Sequence, residues 1–335
     1  MNNIDKQYKG LLIDILQNGV KKEGRNGTTY SVFGRQIRHD MREGFPLLTT
    51  KKMYWKGIVG ELLWFLSGST DIRDLWERNV FIWDGDWYKN YKNNTPDPYS
   101  LDEIKYIVTR QDHGLPDELF DLGPIYGAQW RDWNGDGIDS LEEFIQNNKG
   151  RIDQIHNLLK SLKEAPDSRR MLVNAWNVGE LDNMVLPPCH YGFQVWTREL
   201  TFEERVEYKY PDMDDESLCS DEHLDSANVP KRGVSLMWNQ RSVDTPLGLP
   251  FNIASYGLLL EMIANEMNMV PLELIGNLGD THIYENQVEG VEEQLTRKGH
   301  PLPQVILEDG IYSHEGDIHL ENYVSEETIK FPLSN

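Results

Sequence analysis

Cysteine is nearly absent: the 335 residues hold two, Cys189 and Cys219. Two cannot make a disulfide framework, so the fold must rest on a packed core. The stretch from Met1 to Lys9 is polar and carries both charge signs, which does not read as a signal peptide. The chain is therefore expected in the cytoplasm, where a lone cysteine is either a small buried hydrophobe or a nucleophile. Basic residues are also scarce, 33 Lys and Arg against 55 Asp and Glu, a formal charge of −22. That balance argues against a nucleic-acid polymer or an anionic membrane surface as partner, since both are held by clustered cations. No apolar run approaches the roughly 20 residues of a membrane span. The apolar fraction is only 39%, yet ten Trp and fifteen Tyr are too many for a disordered chain.

What is present reads as a mixed α+β chain. Tyr8, Leu11, Leu12, Ile15 and Leu16 fall at helical spacing, and Gly19 follows as a stop. A turn-type segment, Arg25 to Thr29, leads into a short strand from Tyr30 to Phe33 that Gly34 should end. A long helix is predicted from about Lys52 to Leu66, with Glu61 at the edge of its apolar face. If that carboxylate is buried, it needs a partner or a raised pKa. Helix is expected over 139–164, and strands at 170–178, Tyr191–Trp196 and Gly233–Trp238. A helix over about Phe251–Met267 is apolar nearly all round, which predicts a buried position. Two polar stretches interrupt the pattern. Residues 84–120 look like an insertion with one or two small helices. Around 199–232 the chain turns acidic and the apolar pattern lapses, as in a solvated loop. One domain over 1–335 with these two insertions fits better than two domains.

A calcium-loop pattern appears at Asp132-Trp133-Asn134-Gly135-Asp136-Gly137-Ile138-Asp139, with Glu143 in the twelfth place. The oxygen ligands fall in register, but Ile138 comes one place early and Gly123-Pro124-Ile125-Tyr126-Gly127 is a poor entering helix. A turn capping the next helix is the better reading, and no metal is expected.

The residue types that can do chemistry are few. Cys189 lies between Pro187-Pro188 and His190, and a thiol reacts as thiolate, favoured by nearby cations. Arg25, the pair Arg169-Arg170, and Arg241 beside Ser242 offer guanidinium forks that match phosphate oxygens. Asn252 heads the buried helix, where its amide can either cap the helix or read a base edge with one donor and one acceptor. In Asp280-Thr281-His282-Ile283-Tyr284, a strand would aim His282 and Tyr284 to one face.

The segment Leu186-Pro187-Pro188-Cys189-His190-Tyr191-Gly192-Phe193-Gln194 resembles the active-site signature of the thymidylate synthases. So, in order, do Gly44 to Lys52, Glu61 to Leu66, Gly123 to Arg131, Pro166 to Arg170, Gln240 to Asp244, Leu247 to Tyr256 and Gly279 to Tyr284. The likeness covers most of the chain outside the two insertions.

The resemblance implies an α+β fold, a mixed sheet with helices in three layers, dimerising sheet on sheet. It implies reductive methylation of dUMP to dTMP by 5,10-methylenetetrahydrofolate, which leaves as dihydrofolate. Cys189 matches the nucleophile that adds to uracil C6, and Glu61 the carboxylate that relays protons. Tyr126 and His190 match a supporting hydroxyl and imidazole. Arg25, Arg241 and Ser242 match phosphate ligands, joined by Arg169 and Arg170 from the second subunit. Asn252 matches the reader of the uracil edge, and His282 and Tyr284 the contacts to the 3′-hydroxyl. On the folate side Ile82 and Trp83 would stack, Asp244 would bond the pterin, and Gly248 and Phe251 would line the site, with Lys51 near the glutamate tail. The chain departs from the family at Tyr54, where many members carry His, and in its Ser334-Asn335 terminus. The alternatives are a deoxyuridylate hydroxymethylase, in which water quenches the methylene, and a non-catalytic relative that binds RNA or a partner.

Overall fold

The structure, a computed structural model, describes residues 1–24, 26–109, 114–133, 152–211 and 219–334. The chain packs as two compact units, one of residues 1–53, 155–173 and 190–332, the other of 54–154, 174–189 and 333–335.

The first unit is built on a six-stranded sheet. Its strands are β1 (Val20–Gly24), β2 (Gly27–Asp40), β3 (Leu172–Asn174), β4 (His190–Glu199), β5 (Arg232–Asp244) and β6 (Val270–Tyr284). The spatial order is β1-β2-β6-β5-β4-β3, with β5 and β6 parallel and the pairs β1–β2, β2–β6 and β4–β5 antiparallel, so the sheet is mixed. A small two-stranded sheet, β7 (Gln304–Leu307) with β8 (Ile318–Glu321), lies apart from it.

The helix Gly248–Glu266 packs on β5 and β6, and Asn3–Asn18 packs on β2. Thirteen residues of the first of these are buried, as its nearly uniform apolar character requires. Trp238 of β5 stacks flat on Tyr256 of that helix, ring centroids 5.4 Å apart. The opposite face of the sheet is polar at its centre. It presents Gln36, Asn277 and Asn239 as a row of amides, Gln36 Nε2 donating to Asn277 Oδ1 at 2.7 Å and Asn277 Nδ2 to Asn239 Oδ1 at 3.0 Å. Exposed Trp196 shares that sheet on β4, where buried and open positions alternate.

Three local expectations change. The strand does not stop at Gly34. That residue takes a left-handed φ of 71°, and the ladder to β6 resumes at Arg35 opposite Leu278. The buried helix begins at Gly248 rather than near Phe251, because Pro250 falls in the first turn, where its missing N–H costs nothing. On either side of 212–218, which lie outside the described residues, the acidic stretch is not a solvated loop. It forms helices Phe202–Lys209 and Asp221–Ser226, whose Val206 and Leu224 pack with Val229 into a small core. Buried Arg205 pins it by ion pairs to Asp221 at 2.8 Å and Asp225 at 2.6 Å.

The second unit centres on the helix Trp55–Ser67, nearly all of whose residues from Gly57 to Leu66 are buried. The polar stretch at 84–120 supplies two helices, Asp84–Asn94 and Leu101–Val108. Trp87 stacks between Tyr91 and Phe120, with interplanar angles of 8° and 7°. That stretch is therefore held by aromatic stacking where the acidic one is held by charge. Of the helix expected over 139–164, Gln154–Glu164 is present, and 139–151 lie outside the described residues, as does 134–143 of the calcium-like loop. Among the described residues no helix is long and apolar enough to cross a membrane.

Candidate active site

The second unit gathers a thiol, a carboxylate and a box of rings. Cys189 is half-buried in the bend before β4. Its backbone N–H donates to Tyr126 Oη at 2.8 Å, which fixes the approach of the chain to the thiol. The Tyr126 ring lies 4.7 Å from Phe65 and 6.1 Å from Trp83. Trp83 in turn donates from Nε1 to Glu61 Oε1 at 2.8 Å. A single indole N–H does not replace water around a carboxylate, so desolvation pushes the Glu61 pKa up to about 7, with the Trp83 bond opposing. Ile82, half-buried, sits beside Trp83 in the turn that starts the next helix. The conditional expectation for Glu61 is met on both counts: it has a partner, and its pKa is raised.

The first unit gathers polar side chains at one end of its sheet. Register places Ser242 of β5 opposite Asp280 of β6 and Asp244 opposite His282. His282 and Tyr284 do share a face, their rings meeting edge-on at 5.2 Å. His282 Nδ1 lies 3.3 Å from Asp280 Oδ1, and Asp280 is also held by Ser31 Oγ at 2.6 Å and Lys22 at 3.0 Å. Asn252 lies inside the helix Gly248–Glu266, not at its cap. Its Oδ1 accepts from Gln240 Nε2 at 3.0 Å, which orients the amide. A Cβ placed on Gly248 would lie 3.9 Å from both Asn252 Oδ1 and Asp244 Cβ, so those three stand together; Phe251, half-buried, is on the same first turns.

Asp244 is deeply desolvated, which raises its pKa above the usual carboxylate range. Gln287 Nε2 donates to both its oxygens, at 3.2 and 3.1 Å, and the Leu247 N–H donates at 3.1 Å. Lys51 is buried, its ammonium donating to Pro246 O at 2.5 Å, and desolvation lowers its pKa to about 7. His190 is likewise buried, with Nδ1 at 2.8 Å from the Tyr256 hydroxyl, and burial lowers its pKa to about 3. The imidazole next to Cys189 in sequence is therefore neutral and contributes no cation to a thiolate.

Arg241 is exposed on β5. Arg169 and Arg170 are exposed in the turn before β3 and form no ion pair among the described residues. In a chain with 22 excess acids, an adjacent guanidinium pair left in solvent is notable. Arg25 lies outside the described residues. Sequence reasoning missed Tyr256, Gln240 and Gln287, which hold His190, Asn252 and Asp244. The only signal for them is that a buried polar side chain needs a partner, and these partners come from elsewhere in the chain.

Comparison with known proteins places these residues in context. The family model described as thymidylate synthase matches residues 6–335. A thymidylate synthase of Mesoplasma florum is 40% identical, covering 97% of this chain and 98% of the relative. That of Malacoplasma penetrans is 38% identical over 97% and 98%. A probable thymidylate synthase of Escherichia phage T5 is 38% identical over 98% of this chain and all of the phage protein.

Proposed function

The chain belongs to the thymidylate synthase family, a family of methyltransferases, and on that premise we propose that it converts dUMP to dTMP with 5,10-methylenetetrahydrofolate as donor of carbon and hydride. Uracil C5 is a poor nucleophile. The Cys189 thiolate adds to C6, and the ring electrons move to the carbonyl at C4, leaving C5 able to attack the methylene carbon. Loss of the C5 proton and of tetrahydrofolate as leaving group gives an exocyclic methylene. Hydride from the tetrahydrofolate ring then reduces it, dihydrofolate forms, and Cys189 departs as the C6–S bond breaks.

Glu61 carries this reading. A group that takes up and releases protons during one turnover works best with its pKa near the working pH, and Glu61 has been brought to about 7. Asn252, held by Gln240, reads the uracil edge. Arg241 and Ser242 bind the phosphate with Arg25, and Arg241 supplies the cation that neutral His190 cannot. His282 and Tyr284 hold the 3′-hydroxyl. Ile82 and Trp83 stack on the folate, Asp244 bonds the pterin, Gly248 and Phe251 line its site, and Lys51 lies toward its glutamate end.

The chain acts as a homodimer, sheet on sheet. Exposed Trp196 on the sheet supports this, as do Arg169 and Arg170, which pair with no acid among the described residues and which a second copy's phosphate would neutralise.

The test is incubation with dUMP and methylenetetrahydrofolate, following dihydrofolate absorbance and product mass. Methylated product with dihydrofolate is expected. Hydroxymethylated product with tetrahydrofolate would overturn the reductive step. Cys189→Ala should abolish turnover. Mixed with Arg170→Ala subunits, it should recover part of the activity through the one intact site of the heterodimer. No recovery in folded heterodimers would remove the shared phosphate site.

A further inference from the structure

Gln287 is buried, 1% exposed, and its amide bonds three partners. Oε1 accepts from the Tyr284 backbone N–H at 3.0 Å. Nε2 faces the two oxygens of Asp244 and also the carbonyl of Pro332, at 3.2 Å. An amide nitrogen has two hydrogens, so one serves the carboxylate and the other the C-terminal segment. The segment is seated by two further contacts. The Phe331 ring lies 4.7 Å from the Lys51 ammonium, close enough for cation–π attraction. It also lies over Gly290, where a Cβ would come within 2.7 Å of the ring.

We propose that Gln287 is a positioning residue that couples the C-terminal segment to Asp244, so that the carboxylate is aimed when the segment is seated and loses its aim when it lifts. The proposal rests on the reading of Asp244 as the pterin contact. Its physical basis is a shared donor. If the Pro332 carbonyl leaves, the freed hydrogen of Nε2 turns to the carboxylate or to water, and the amide plane can rotate. If Asp244 engages a ligand donor, the amide is held square and the Pro332 bond is strengthened. Other titratable groups face Asp244: Lys51, His282 and, with its hydroxyl on Thr245 O, Tyr8. Lys51 meets the segment through the Phe331 ring, a contact without direction, whereas Gln287 bonds both the carboxylate and the segment and so fixes an angle.

Gln287→Glu tests this. It keeps an acceptor for Tyr284 N–H but loses both amide hydrogens. At pH 8 two carboxylates then face each other; at pH 6 they share a proton, which restores one donor. Expected at pH 8 is a loss of about ten- to a hundredfold in kcat/KM for methylenetetrahydrofolate, the range for a hydrogen bond to a buried charge. Most of that loss should return at pH 6, while dUMP affinity measured without folate stays within about twofold, since the Tyr284 bond survives. Amide exchange across residues 329–334 should be faster than wild type at both pH values, since the one proton shared at pH 6 lies between the carboxylates and does not reach Pro332 O, a readout independent of turnover. A second variant ending at Phe331 leaves Gln287 untouched and should show the same folate-side loss. Combined with Gln287→Glu the losses should fall short of multiplying.

A kcat/KM loss that does not change with pH, full multiplication of the two, or exchange across 329–334 as slow as in wild type would overturn the coupling. Absence of dTMP formation by the wild type would instead sink the proposed function, with the exchange result still deciding the coupling.

Discussion

Two carboxylates of this protein are both raised above the ordinary range by burial, and they are treated in opposite ways. Glu61 has one neutral donor, the Trp83 indole, in a box of aromatic rings. Asp244 has Gln287 and Leu247 as donors and the Lys51 and His282 side chains nearby to lower its pKa again. A carboxylate starved of donors changes its proton easily near neutrality. One wrapped in donors has an orientation to keep, since each bond lost on moving costs about 1 kcal/mol or more. The contrast separates a group built to titrate from a group built to point.

The contrast can be broken most directly at Glu61. Glu61→Gln keeps the shape and the acceptor for Trp83 but removes the proton. The expected loss is about 10²–10⁴ in kcat, the usual worth of general acid–base catalysis. The wild-type pH profile of kcat/KM should bend near pH 7, and the variant's should not. A bend that survives the substitution would assign it to another group, with Lys51, also near 7, the first suspect.

Asp244→Asn should behave differently. Asn keeps an oxygen for the Leu247 N–H and gives up charge rather than shape. The loss, about tenfold to a hundredfold, should fall on KM for the folate, with kcat close to wild type. A kcat loss as deep as that of Glu61→Gln would erase the distinction between the two sites.

The two sites were unequally legible in the sequence. Glu61 could be marked because it breaks an apolar helical stripe, and the helix Trp55–Ser67 declares itself by period. Asp244, by residue pattern alone, is one acid among 55, and only family resemblance singles it out. Its surroundings were invisible because Gln287 comes from 43 residues away and the Pro332 carbonyl from 45 further on. The same holds for the acidic stretch. Its core is three residues, Val206, Leu224 and Val229, too few and too far apart to show a period, and its anchor is a buried Arg205 with acids that read as surface. Local patterns report which face is apolar. They do not report which polar group a distant strand will deliver. Cys189 lies in between: its dipeptide with His190 is a weak sign by itself, and only the structure shows that burial keeps that histidine neutral.

The smallest effect is on stability, and its sign sharpens the comparison. The Glu61 carboxyl holds its proton up to about pH 7 in the folded protein but only to about 4.5 when unfolded. Between those values the folded state binds more protons, so stability falls as pH rises, and the deficit is complete above about 7. Glu61→Gln removes it. The variant should therefore be more stable than wild type at pH 8, by on the order of 1–3 kcal/mol, and equal to it below about pH 4.5. Asp244 is also raised, so the sign is the same, but its donors already stabilise the ionised form, and Asn cannot satisfy Gln287 as a carboxylate does. Asp244→Asn should gain little or lose stability at pH 8. Urea denaturation of the three proteins at pH 5 and pH 8 measures this. A gain for Asp244→Asn equal to that of Glu61→Gln would mean that the Gln287 and Leu247 bonds do nothing for the charge, and that both carboxylates are simply buried.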